Sequence, residues 1–123
     1  MIRDPATARK ALAGVRLVNG VLGLLAPQVL LARLGTDPRV DRSGVYPFRM
    51  FGVRTVLLAS DLLLLRGAEL RRARRAAVVV HLVDTASAAT AWRRGDLPFR
   101  AGRTATAISA VNSGLALAAL REQ

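Results

Sequence analysis

The chain has 123 residues, of which 52% are hydrophobic, and 19 lysines and arginines against 8 acidic residues give a formal net charge of +11. This length fits one domain. The absence of cysteine excludes disulfide bridges, thiolate catalysis and thiolate metal sites, and the single histidine, His81, excludes a histidine-rich metal site. A positive mean hydropathy of +0.31 beside 22% charged residues indicates that the charges are segregated along the chain.

Two long stretches of the chain carry no formal charge: 16 residues at 17–32 and 17 residues at 104–120. A helix on the surface of a soluble bundle carries charges at helical period, so these stretches favour helices surrounded by lipid. Residues 53–65 contain only Arg54 and Asp61 as charged residues, and 76–91 contain only His81 and Asp84 as ionisable ones. These two segments in the middle of the chain are therefore almost as poor in charge as the two uncharged stretches.

Proline and glycine mark the helix ends. Asp4 followed by Pro5 is typical of a helix start, and Pro47 and Pro98 can open two later helices. We predict four helices at roughly 5–34, 47–66, 69–94 and 98–121, with a kink at Pro27. Each is about 30 Å long or longer at about 1.5 Å per residue, which matches the hydrocarbon thickness of a bilayer. The expected fold is all-α, a single up-down four-helix transmembrane bundle over residues 1–123.

The distribution of basic residues predicts the orientation. No small-x-small cleavage site follows the first apolar run promptly, so we expect a retained first helix rather than a secretory signal. Ten basic residues on the side of the termini against seven opposite favour a multi-pass protein of the cytoplasmic membrane with both termini in the cytoplasm. The ten are Arg3, Arg9, Lys10, Arg16, Arg66, Arg71, Arg72, Arg74, Arg75 and Arg121.

The densest basic run consists of Arg71, Arg72, Arg74 and Arg75. Clustered arginines favour phosphate contacts, so a nucleic-acid interface is one interpretation. The run lies in a short turn between two apolar helices, however, and no aromatic residue is interleaved to stack on bases. We therefore expect the positive-inside charge of a membrane protein, with lipid headgroups as partners and no nucleic acid.

Polar residues inside the apolar segments fall at two heights. Counting about 1.5 Å per residue from the helix ends predicts an intramembrane polar layer of Arg54, Asp84, Asn19 and Asn112. An ionised group near mid-bilayer costs several kcal/mol unless it is paired. We therefore predict an ion pair between Arg54 and Asp84 that fixes helix register, with a proton or ligand site as the alternative.

Asp61 and His81 form a second predicted polar pair, nearer the cytoplasm. His81 and Asp84 share a helix face at one-turn spacing and could form a proton relay, but two ligands do not make a metal site. The sequence offers no phosphate-binding glycine loop and no Ser/His/Asp set. We predict no catalytic residue, no metal and no cofactor.

Small residues recur every four positions in the fourth helix, at Ala110, Gly114 and Ala118. Such residues let helices approach closely in lipid. This face packs either inside the bundle or against a larger membrane protein or a second copy.

The segment 49–54, Arg-Met-Phe-Gly-Val-Arg, resembles small four-helix membrane proteins of actinobacteria, namely DoxX-like proteins and related domains of unknown function. Residues 24–27, the Leu-Gly pair at 34–35 and residues 82–84 are similar to the same pattern. The resemblance implies an integral membrane bundle and transfers no catalytic residue.

Small size and the lack of a catalytic set favour a non-enzymatic accessory or stabilising subunit beside a larger membrane complex such as a transporter. The alternative is a small carrier or intramembrane enzyme that handles a lipid, a quinone or a proton in the bundle core. A soluble basic bundle that binds nucleic acid is the third interpretation.

Overall fold

The computed structural model describes residues 4–122, which contain five α-helices and, within that range, no β-strand. The all-α prediction is confirmed. The helices are α1 (Pro5–Leu25), α2 (Pro27–Arg33), α3 (Val45–Leu64), α4 (Gly67–Arg94) and α5 (Phe99–Ala119). Arg3, which enters the orientation count, lies outside the described residues.

The first predicted helix is two helices. It breaks at Ala26, and α2 turns away from α1 by 109°. Pro27 explains the break, because proline has no N–H to donate and its ring clashes with the preceding turn of a helix. The predicted kink is therefore correct in position, but the single helix 5–34 is wrong. Helix α3 begins at Val45, so Pro47 lies in its first turn, where backbone N–H groups have no partner within the helix.

Local signals delimit the other helices much as the sequence predicts. The carboxylate of Asp4 caps α1 by accepting hydrogen bonds from the backbone N–H of Thr7 at 2.9 Å and from its hydroxyl at 2.6 Å. Helix α4 is followed by Gly95, whose φ of 75° is a left-handed conformation that favours glycine.

The four long helices form two closely packed antiparallel pairs, α1 with α3 and α4 with α5, and the contacts between the pairs are fewer. Three glycines bring α1 and α3 together. A Cβ atom on Gly52 would lie 2.6 Å from the carbonyl oxygen of Gly20 and 2.8 Å from the carbonyl carbon of Gly23. Only a residue without a side chain permits this approach.

Large apolar side chains cover much of the surface, whereas several polar ones are buried. The buried apolar cluster is small and consists of Leu12, Ala13, Leu62, Ala77 and Ala116. Apolar side chains that are more than half exposed occur on every long helix, at Val18, Leu25, Tyr46, Met50, Leu57, Leu64, Val79, Val83, Phe99 and Val111. The buried polar side chains are Arg16, Thr55, Arg74, His81 and Ser113.

By length and hydropathy, none of the individual helices in residues 4–122 qualifies as a membrane span, while α1 and α2 qualify together across their 109° bend.

Candidate ligand-binding cavity in the bundle core

A cavity of about 220 Å³ lies where the four long helices meet. Its lining residues are Arg16, Asn19, Phe51, Arg54, Thr55, His81, Asp84, Ile108, Ser109 and Asn112. All four members of the predicted polar layer belong to this set, and each comes from a different helix. Helical rise therefore places them at one level of the bundle, as counting along the helices predicts.

The predicted ion pair between Arg54 and Asp84 does not form. Arg54 is exposed and Asp84 is half-buried, and they share the cavity without being in ion-pair contact. Equal height, and even a shared cavity, is therefore not sufficient for an ion pair. The ion pairs within residues 4–122 are Arg9–Glu122, Arg74–Glu122 and Arg39–Asp37.

The second predicted pair, Asp61 with His81, is also wrong. The buried face of α3 contains Ala59 and Leu62, whereas Asp61 is exposed because it points away from that face. His81 is only 2% exposed and contacts Arg16, which is 4% exposed. Counting residues along a helix gives the height of a side chain but not its direction around the helix axis. Asp61 and His81 are separated because their side chains point in different directions.

The contact between Arg16 and His81 defines the protonation of the ring. Nη1 of Arg16 donates a hydrogen bond to Nε2 of His81. A guanidinium group has only donors, so the ring nitrogen that it contacts must hold a lone pair. His81 is therefore neutral, and the positive charge at this contact belongs to Arg16.

Two buried polar atoms beside the cavity have no hydrogen-bond partner among the described residues: Nε of Arg16 and Oγ1 of Thr55. Both side chains line the cavity, and Thr55 is 2% exposed. A buried polar group without a partner costs free energy, about 1–3 kcal/mol and more when it is charged. Each such group needs an explanation, and a water molecule, an ion or a ligand in the cavity would supply the missing partner.

A second cavity of about 190 Å³ adjoins the first one. The two cavities share four lining residues, Asn19, Phe51, Ile108 and Ser109. A polar cavity in the bundle core thus lies next to an apolar cavity beside α2, with these four residues between or around them. The rest of the second lining is mainly apolar and comprises Leu30, Arg33, Leu34, Phe48, Ala101, Thr104 and Ala105.

The basic run lies within the first turns of α4, so its predicted position in a turn between two helices is wrong. Its four arginines also differ in burial. Arg71, Arg72 and Arg75 are exposed, as a headgroup-binding surface requires. Arg74 is buried, and its Nη1 donates a hydrogen bond to the carbonyl oxygen of Ala119 at 3.2 Å. The prediction that Arg74 faces lipid headgroups is therefore wrong, because this side chain satisfies carbonyl groups at the end of α5.

The small-residue face of α5 is largely open. Ala110 and Gly114 are exposed and Ala118 is half-buried. A Cβ atom on Gly114 would have no neighbouring atom within 4 Å. This face is therefore available to another helix.

Five residues that line the polar cavity are not among the site residues that the sequence predicts: Arg16, Phe51, Thr55, Ile108 and Ser109. By sequence, Arg16 belongs with the basic residues that flank a membrane segment, yet it is buried. It lies four residues from Leu12 and four from Gly20, both buried, so helical spacing could have identified it as an inward-facing position.

No family model, curated protein or solved structure matches the chain. Within residues 4–122, no group of three or more histidine and acidic side chains is arranged to hold a metal ion. The chemistry available in the cavity is that of guanidinium, amide and hydroxyl groups, with an imidazole and one carboxylate. These groups suit the binding of a polar or negatively charged group.

Proposed function

We propose that this chain is an integral protein of the cytoplasmic membrane that binds a small molecule in its core, as a carrier or an intramembrane enzyme would. The observation that carries the proposal is the polar cavity, whose lining includes two buried polar atoms without partners among the described residues. Such polar atoms need a partner, which water or a ligand in the cavity can supply. Ionisable groups inside membrane bundles are typically functional, which favours a ligand.

The distribution of polarity supports the membrane part of the proposal. Leu64 is 76% exposed and Val111 is 63% exposed, while Arg16 and His81 are buried. Large exposed apolar surfaces mark contacts with lipid or protein. We keep the up-down transmembrane bundle, both termini in the cytoplasm, and the resemblance to DoxX-like proteins as predictions.

Membrane insertion is tested by fractionating cells that produce the full chain. We expect the protein to remain in the membrane pellet after an alkaline carbonate wash and to enter solution only with detergent. Recovery in the supernatant of a detergent-free extract would contradict the proposal and would favour the basic bundle that binds nucleic acid.

Ligand binding is tested by native mass spectrometry of the protein extracted in a mild detergent. We expect a small molecule to be bound to the wild-type protein and to be reduced in an Arg54→Gln variant. The matched control is Arg49→Gln, since Arg49 is an exposed arginine of the same helix that lines neither of the two cavities. Equal ligand content in the two variants would contradict binding in the polar cavity.

An accessory subunit is the second candidate function, and the open face at Ala110 and Gly114 favours it. The same mass spectrum would then contain a larger membrane protein. Gly114→Leu should release that partner, whereas Gly14→Leu, at an exposed glycine of α1 that is equally free of neighbours, should not. A partner retained by Gly114→Leu would argue against docking on this face.

A further inference from the structure

We infer that the ligand is an amphipathic anion, a carboxylic acid with an apolar chain, whose carboxylate binds near Arg16 and Arg54 and whose chain occupies the adjoining apolar cavity. This inference rests on the proposed function, because it names the class of molecule that the same site binds. Three observations carry it: the charge of the polar cavity, the hydrogen-bond donors beside it that lack partners, and the apolar cavity that adjoins it.

The charge of the polar cavity favours an anion. Arg16 and Arg54 contribute two positive charges and Asp84 contributes one negative charge, while the contact with Arg16 keeps His81 neutral. One positive charge therefore remains, which a singly charged carboxylate balances. A cation would meet two guanidinium groups at the same site.

The free donors match a carboxylate. Nε of Arg16 and the hydroxyl of Thr55 are buried beside the cavity and lack partners among residues 4–122. A carboxylate offers only acceptors, so its chemistry matches these two groups, and its binding would require the Arg16 and Thr55 side chains to turn towards it. Hydrogen bonds between ionised partners are stronger than those between neutral ones.

The apolar cavity gives the ligand its second property. Asn19 and Phe51 line both cavities, and beyond them the wall consists mainly of apolar groups such as Leu30, Leu34 and Phe48. Burial of an alkyl chain against such a wall is favourable, because each CH₂ group that leaves water contributes to the affinity. A molecule that fills both cavities is therefore charged at one end and apolar at the other.

The inference is tested with the full chain in a non-ionic detergent. The assay measures equilibrium binding of radiolabelled dodecanoate to immobilised protein, with unlabelled dodecanol and butyrate as competitors. We expect dodecanoate to bind and to be displaced poorly by dodecanol, which has the chain without the charge, and by butyrate, which has the charge without the chain.

Variants at the charged end give effects of opposite sign. Arg54→Gln should weaken dodecanoate binding about tenfold to a hundredfold, as expected for a lost charge-assisted hydrogen bond. Arg54→Lys should recover part of this loss, and Asp84→Asn should tighten binding by removing the one negative charge. Arg49→Gln is the matched control and should leave binding unchanged.

A variant in the lining of the apolar cavity tests whether the alkyl chain of the ligand binds there. Ala105 lines the apolar cavity and does not line the polar one, so Ala105→Phe should weaken dodecanoate binding and leave butyrate binding unchanged. Thermal unfolding of each variant establishes that it is folded. Replacement of Arg54 should leave the core packing intact, because this side chain is exposed.

Each contrary result has a distinct meaning. Equal displacement by dodecanol, with no effect of Arg54→Gln, overturns the anionic end. If butyrate binds as tightly as dodecanoate and Ala105→Phe has no effect, the ligand does not need an alkyl chain. The cavity would then be a site for a small anion, which is still consistent with the proposed function. If dodecanoate does not bind but native mass spectrometry finds another molecule in the cavity, this inference fails alone; if neither is bound, both proposals fail.

Discussion

Arg9 and Glu122, 113 residues apart in the sequence, form a two-pronged ion pair. Nε of Arg9 donates to Oε2 of Glu122 at 2.6 Å, and Nη2 donates to Oε1 at 3.2 Å. Arg9 also donates to the carbonyl oxygen of Leu62, and Arg74 forms a second ion pair with Glu122 at 3.4 Å. One carboxylate thus links side chains of α1 and α4 at the end of the bundle where α5 stops.

Glu122→Ala should lower the free energy of unfolding by about 1–3 kcal/mol, because it removes charge-assisted hydrogen bonds and leaves two arginines without their acidic partner. Thermal unfolding in detergent, followed by circular dichroism, measures the change. Glu69→Ala is the control, since Glu69 is exposed on α4 and is absent from the ion pairs of the described residues. Equal melting temperatures for the two variants would contradict a structural role for Glu122.

Arg54→Gln and Asp84→Asn should show little coupling in a double-mutant cycle. Residues that share a cavity couple by about 0.5–3 kcal/mol, and because these two side chains form no ion pair, their coupling should lie near the lower limit of about 0.5 kcal/mol. Unfolding of the two single variants and the double variant in the same detergent gives the coupling energy. A coupling energy well above that value would indicate that Arg54 and Asp84 do form the ion pair that the sequence predicts.

Gly52→Ala should destabilise the protein by about 1–3 kcal/mol, as overpacking of a tight contact does. The added methyl group would clash with the backbone of α1 at Gly20 and Gly23. Gly14→Ala is the matched control in a helix, because a Cβ atom there has no neighbour within 4 Å. That variant should be stabilised by about 0.5–1 kcal/mol, since alanine favours a helix over glycine. A Gly52→Ala protein as stable as wild type would be incompatible with the close crossing.

Stability should depend on pH through the cap of α1. Hydrogen bonds from the hydroxyl and the backbone of Thr7 hold the pKa of Asp4 below its usual value of 3.8. A carboxyl group whose pKa is lowered by folding stabilises the protein above the unfolded pKa, and this contribution is lost as the pH falls through the folded pKa. Melting temperatures of wild type and Asp4→Asn, measured from neutral pH downwards, should therefore converge or cross in acid. If the difference between the two melting temperatures stayed constant with pH, the Asp4 cap would not be the source of the pH dependence.

The sequence predicts where the helices lie along the chain, and how high each side chain lies in the bundle, better than it predicts how each helix is rotated about its axis. Uncharged stretches and proline positions locate the helices because these signals are local, and a fixed rise per residue places Arg54 and Asp84 at one level. Whether two side chains at one level meet depends on how each helix is rotated in the bundle. Asp61 is the clearest example, because its height is suitable and its direction is not.

The burial of Arg16 could not be predicted from charge patterns alone. Basic residues near the ends of apolar segments usually reach water, and Arg16 stands just before the uncharged stretch at 17–32. Its partner, His81, lies 65 residues away on another helix. A contact of this kind depends on tertiary structure, so only the helical spacing from Leu12 and Gly20 gives a local indication.

The two closely packed helix pairs give the protein a preferred direction of deformation. The polar cavity takes its walls from both pairs, and the contacts between the pairs are fewer than those within each one. A molecule that enters the cavity therefore meets the weakest boundary in the bundle. Any widening of the cavity is therefore expected at this boundary rather than at the glycine crossing of α1 and α3, whose backbones are in close contact.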